Sequence, residues 1–169
     1  MKKIMLIFIG LLVGFEAYSQ REVVENEPYP TTSSKPFPSG KNVYGLFEGR
    51  CACQELATAL KKEVSPECYK TKWGLYLYQN PDTQAPSTYV LEGSFFRQAI
   101  RKGNWHVSKG TKTDPDDMVI ELEADNQQTI YLLKGDNNVL FFLDQDKNIL
   151  TGSDLFNYTL NRVQKKPVE

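Results

Sequence analysis

An all-β fold, a small antiparallel barrel of about eight strands with one short helix, is predicted for this chain by three observations. Apolar and polar residues alternate in segment after segment, the period-two pattern of strands with one buried face. Short clusters of Gly, Pro, Asn and Asp separate those segments and read as hairpin turns. Aromatic residues make up 12% of the chain, and rings pack well on pleated surfaces. Strands joined in an up-and-down series leave unpaired edges, which closure into a barrel removes.

The elements follow in order. Residues 43–48 form the first strand. Residues 69–79 put Trp73, Leu75 and Leu77 on one face and Lys72, Tyr76 and Tyr78 on the other. Asn80-Pro81-Asp82 turns the chain, and residues 87–97 return as the second arm of a long hairpin. Residues 103–109 form a shorter strand with Trp105 and Val107 in phase. After the turn at residues 113–117, Met118, Ile120 and Leu122 are expected to face inward, against Val119, Glu121 and Glu123. Residues 129–134 and 139–144 pair across a Gly135-Asp136-Asn137-Asn138 turn. Gln145-Asp146-Lys147-Asn148 turns again, and Phe156, Tyr158 and Leu160 alternate with Asn157, Thr159 and Asn161 in the last strand. One stretch has a different period: Cys53, Leu56, Ala57, Leu60 and Val64 recur at helical spacing. They predict a helix over residues 52–63, ended by Ser65-Pro66 and laid across one mouth of the barrel.

The ends are predicted separately. Lys2 and Lys3, an apolar run over residues 4–15, and the small residues Ala17 and Ser19 before Gln20 match a secretory signal over residues 1–19. The apolar run is about 12 residues, whereas a membrane-spanning helix needs roughly 20, so no transmembrane segment is expected in the mature chain. Residues 20–42 carry Pro28, Pro30, Pro36 and Pro38 among Thr, Ser and Gly and predict a flexible, extended linker. The barrel domain then covers residues 43–163, and residues 164–169 form a polar, frayed tail. A periplasmic or secreted location follows from the leader.

Charge and motifs exclude several functions. The chain has 20 basic and 21 acidic residues, so it lacks the basic excess that nucleic-acid binding needs. It has one histidine, which leaves little imidazole for acid–base catalysis. It contains no Gly-x-Ser-x-Gly, no His-Glu-x-x-His and no phosphate-cradling glycine loop. No catalytic residue is assigned, and a non-enzymatic module is expected. Asp144-x-Asp146-x-Asn148 opens like a calcium loop, but the sixth and twelfth positions hold Ile149 and Leu155 in place of Gly and a carboxylate. It reads as a turn.

The cysteines and aromatics supply the candidate sites. Three cysteines in an exported chain suggest one disulfide and one remaining thiol. Bridging Cys51 to Cys53 would close a strained ring. Cys53–Cys68 would pin the start of the helix to the following strand and is the expected pair; Cys51–Cys68 and reduced thiols are the alternatives. Cys51 and Cys53 as thiolates, joined by His106 or Met118, would alternatively suit a soft copper ion. Tyr44, Tyr76, Tyr78, Tyr89, Phe95 and Phe96 exceed what one sheet face must bury, although a small barrel also needs large residues inside it. Tyr44, Tyr76 and Tyr78, with Trp105 and His106, are the candidate ligand or partner surface.

The residues also resemble a known family. Tyr44-Gly45-Leu46-Phe47-Glu48-Gly49-Arg50-Cys51-Ala52-Cys53 followed by a short helix is similar to the opening of the NlpE-type copper-resistance domain. Leu91-Glu92-Gly93-Ser94-Phe95 and Gly103-Asn104-Trp105 look like its glycine-bearing strands. Leu143-Asp144-x-Asp146-Lys147 and Asn157-Tyr158-Thr159-Leu160 look like its closing turn and strand. The resemblance covers about residues 43–162. It implies a lipocalin-like barrel in the bacterial envelope, with a role in copper tolerance or the envelope stress response through an envelope protein partner. Two departures stand out: the chain has no lipid-accepting cysteine near its leader, and Cys-x-Cys replaces the family's Cys-x-x-Cys. The alternative function is a lipocalin-like carrier of a small apolar ligand in the barrel mouth.

Overall fold

A computed structural model describes residues 29–33, 37–93, 95, 100–124 and 127–167. The leader expected over residues 1–19 lies outside them, as does Phe96. The strands are β1 (Tyr29–Ser33), β2 (Val43–Ala52), β3 (Lys70–Gln79), β4 (Pro86–Gly93), β5 (Arg101–Lys109), β6 (Met118–Ala124), β7 (Gln127–Lys134), β8 (Val139–Phe142) and β9 (Thr159–Pro167). A single described helix, α1 (Cys53–Ala59), sits between β2 and β3.

Strands β2 to β9 pair antiparallel with their sequence neighbours from β2 through β9, and β9 also pairs with β2, closing an eight-stranded barrel. The closure is short: Phe47 faces Arg162 and Glu48 faces Asn161. Two glycines let backbones approach at crowded points. A Cβ on Gly49 would overlap the Thr159 carbonyl of β9, and one on Gly103 would overlap the Glu123 carbonyl of β6. Glycine in a strand commonly marks such close passage.

The predicted alternation holds along β3, where Trp73, Leu75 and Leu77 are buried and face the lumen. Tyr89 and Leu91 of β4, Trp105 of β5, Ile120 and Leu122 of β6, Leu132 of β7, Phe142 of β8 and Leu160 of β9 complete one core. Met118 departs from expectation, lying 43% exposed at the strand end, while Val119 is fully buried on the opposite face. The reason is a second cluster outside the barrel. Val119, Leu133 and Leu143 pack there with Tyr131 and Phe141, beneath the chain that returns from Leu143 to Ile149. Period-two counting cannot see a loop folding back over the outer wall.

The helix is shorter than the predicted residues 52–63. Lys61 takes a left-handed conformation, φ 50°, after Leu60 N–H donates to the Leu56 carbonyl. Leu56, Ala57 and Leu60 keep the apolar stripe buried. The ends of the domain also differ from expectation. Residues 29–33, placed in the flexible linker, form β1 parallel to residues 163–167 of β9, which include most of the expected frayed tail. An extended proline-bearing segment is compatible with an edge, where no neighbour needs the missing N–H.

Candidate functional site

The cysteines come first in the chain. Cys53, the first residue of α1, is bonded to Cys68 with Cα atoms 5.5 Å apart. Cys53 N–H donates to the Tyr69 carbonyl, so the helix start is tied to the approach to β3 twice. Cys51 is a free, fully buried thiol, and burial pushes its pKa up to about 12. The metal pair expected at Cys51 and Cys53 is therefore corrected. One sulfur is consumed by the disulfide and the other is fully enclosed in the apolar core, so the two do not form an open pair of thiolates.

The aromatic candidates do not form one surface. At the end of β2 remote from α1, a bulge between Val43 and Gly45 lets Tyr44 join the core rather than the outer wall. Its ring lies 5.0 Å from that of Trp105. The Arg162 guanidinium lies 5.5 Å from the Tyr44 ring centre and 5.6 Å from that of Phe47, and it donates to the Tyr44 carbonyl. Trp105 is 3% exposed, and its indole N–H donates to the Tyr78 carbonyl at 2.6 Å. Tyr44 and Trp105 therefore pack against each other as part of the core. At the opposite end, α1 and Phe95 lie against Trp73. The space left beside Leu60, Trp73, Arg101 and Ile130 is too small for a water molecule.

Tyr76 lies elsewhere, on the outer wall of β2, β3 and β4. Here Gly74 stands in register between Glu48 and Glu92. Its missing side chain floors a polar groove of about 560 Å³, whose walls include Arg50, Lys72 and Tyr76. The Tyr76 hydroxyl donates to Glu92 at 3.4 Å. Burial, then the negative charges of Glu92 and Glu48, hold the phenol neutral and push its pKa up to about 12.

His106 belongs to a third group, on the outer wall of β5 and β6. It stands opposite Glu121 in the ladder, and its Nε2 lies 2.9 Å from Glu121 Oε2 and 3.9 Å from Glu123 Oε1. The other Glu121 oxygen accepts from Ser108 and from Lys147 Nζ at 2.9 Å. Lys147 reaches this point from the turn after β8, crossing the Tyr131 ring at 5.1 Å. Burial opposes ionisation of Glu121, but the hydrogen bonds from Ser108, Lys147 and His106 outweigh it and lower its pKa. His106 stands out in the sequence as a lone histidine, but its partners do not. The alternation that places Glu121 and Glu123 on one outer face was visible; the pairing register with β5 and the return of Lys147 were not.

No protein-family model, no curated protein and no solved structure matches the chain.

Proposed function

We propose that the chain is an exported, non-enzymatic binding module of the bacterial envelope, of the NlpE-like type, that engages an envelope protein partner through the groove on β2, β3 and β4. One observation carries this reading: among the described residues, side chains pack the barrel interior as one core, with Tyr44 against Trp105 and Phe95 against Trp73, whereas the polar concavity around Gly74 lies outside. An aromatic ring beside carboxylates, Arg50 and Lys72 suits a protein surface of mixed charge. The Cys53–Cys68 disulfide fits an oxidising compartment, periplasmic or extracellular. Among the described residues, no helix is long and apolar enough to cross a membrane. A role in copper tolerance or envelope stress would then run through the partner, not through copper held by Cys51 and Cys53.

The test is in-cell photocrosslinking from a probe at Lys72. A Cβ at Gly74 meets nothing closer than 3.8 Å, so Gly74→Tyr fills the groove without straining the sheet. A protein crosslink in the envelope fraction that Gly74→Tyr abolishes is the expected result. A crosslink indifferent to that substitution, together with saturable binding of an apolar fluorescent probe, would favour the small-ligand carrier instead.

A further inference from the structure

The outer wall of β5 and β6 carries a donor set that the groove does not use. Glu121 and Glu123 are two apart on β6 and therefore project from the same face of the sheet, while His106 faces Glu121 directly across the ladder. One ligand atom from each of the three lies within 4.8 Å of the other two. We propose that His106 Nε2, Glu121 Oε2 and Glu123 Oε1 form a three-donor site for a divalent transition-metal ion of the zinc type.

Three features of the geometry support this. Zinc binds imidazole nitrogen and carboxylate oxygen at about 2.0–2.2 Å, so adjacent ligands on a tetrahedral ion stand roughly 3.4 Å apart. The separations of 2.9 and 3.9 Å from His106 Nε2 lie on either side of that spacing, so an ion requires the part-exposed His106 to draw back from Glu121 and the exposed Glu123 to close on it. The two Glu121 oxygens also have divided duties. Oε1 is held by Ser108 and Lys147, which leaves Oε2 aimed at the imidazole. Outer partners of this kind orient a ligating carboxylate. The site is also accessible, because the His106 and Glu123 side chains are 45% and 55% exposed while Glu121 is 14% exposed. One rigid anchor and two reachable arms leave room for water in the remaining coordination positions.

Lys147 limits the strength of the site, and the imidazole sets its selectivity. Its ammonium already neutralises part of the Glu121 charge, so the site is weaker than an unopposed triad. The imidazole favours zinc, nickel or copper(II) over magnesium, which prefers oxygen ligands alone.

Because the chain has one histidine, its imidazole resonances report the site directly. Zn2+ is titrated into the full oxidised chain, followed by those resonances and by competition with a chromophoric chelator. The expected result is one ion per chain with a shifted imidazole signal, affinity lowered more than about tenfold in both His106→Ala and Glu123→Gln, and no response to Mg2+. Both substituted residues are exposed, so the variants are expected to fold, and their dichroism spectra check this. Affinity unchanged in either folded variant, an imidazole signal unmoved by Zn2+, or an equal response to Mg2+ would overturn the site.

Discussion

At the residue scale, the environment of a few ionisable groups decides what they can do. Cys51 is enclosed by the core and loses its thiolate to desolvation, with its pKa pushed up to about 12, so it behaves as a small apolar residue. A thiol-reactive dye should find no thiol in the native protein and one per chain after unfolding without reductant. A rapid native reaction would show that the thiol is open to solvent. Tyr76 responds to the same physics beside two carboxylates. Its pKa is raised from about 10 to about 12, so the folded state keeps a proton that the unfolded state has lost. That contribution to stability is complete below pH 10 and disappears as the pH rises through 12. Ultraviolet titration of phenolate should show a late-ionising tyrosine that is missing in Tyr76→Phe; identical curves would refute it.

At the element scale, α1 is too short to stand alone. It spans Cys53–Ala59 without a side-chain cap on its first turn, and isolated helices of such length are marginal in water. Burial of Leu56, Ala57 and Leu60 and the covalent tie from Cys53 to Cys68 hold it on the barrel. The tie closes a separation of 15 residues, which constrains the unfolded chain by roughly 3 kcal/mol. Replacing both cysteines by alanine should lower the unfolding free energy by about that amount in urea titration, with the barrel dichroism retained. The turn after β8 shows the other way a short element is held. Asp144 accepts from the Asp146 and Asn148 backbone N–H groups, and Lys147 adopts a left-handed φ of 60°. That self-bonded turn delivers Lys147 to Glu121.

At the scale of the whole molecule, one interior core carries the fold and a smaller cluster clamps a loop outside it. Phe142 is fully buried and packs edge-on to Trp73 at 4.8 Å. Phe142→Ala should therefore cost about 3–5 kcal/mol, the usual range for emptying a large core site. Leu133, in the outer cluster, can be partly replaced by movement of the covering chain. Leu133→Ala should cost about 2 kcal/mol, near the lower end for a buried leucine. Urea denaturation of both variants checks the difference; equal losses would show that the two clusters share one rigid core.

The barrel was legible in advance because a strand's two faces meet different solvents, and alternation such as Trp73, Leu75 and Leu77 against Lys72, Tyr76 and Tyr78 records that difference in the chain itself. Helical spacing at Cys53, Leu56, Ala57 and Leu60 was legible for the same reason, and so was the expected disulfide, whose two cysteines flank that helix. The sites were less so. Tyr44, Tyr76, Tyr78, Trp105 and His106 read in the sequence as one candidate surface, yet Tyr44 and Trp105 pack into the core, the Tyr78 carbonyl accepts from Trp105, Tyr76 lines an outer groove and His106 joins two carboxylates. The outward burial of Val119, the pairing of residues 29–33 with β9, and the meeting of His106 with Glu121, Glu123 and Lys147 all depend on strand register and on loops folding back. Periodicity along one chain determines which face of an element is apolar. Only the closed sheet decides which outward residues become neighbours, because that depends on contacts between segments far apart in sequence.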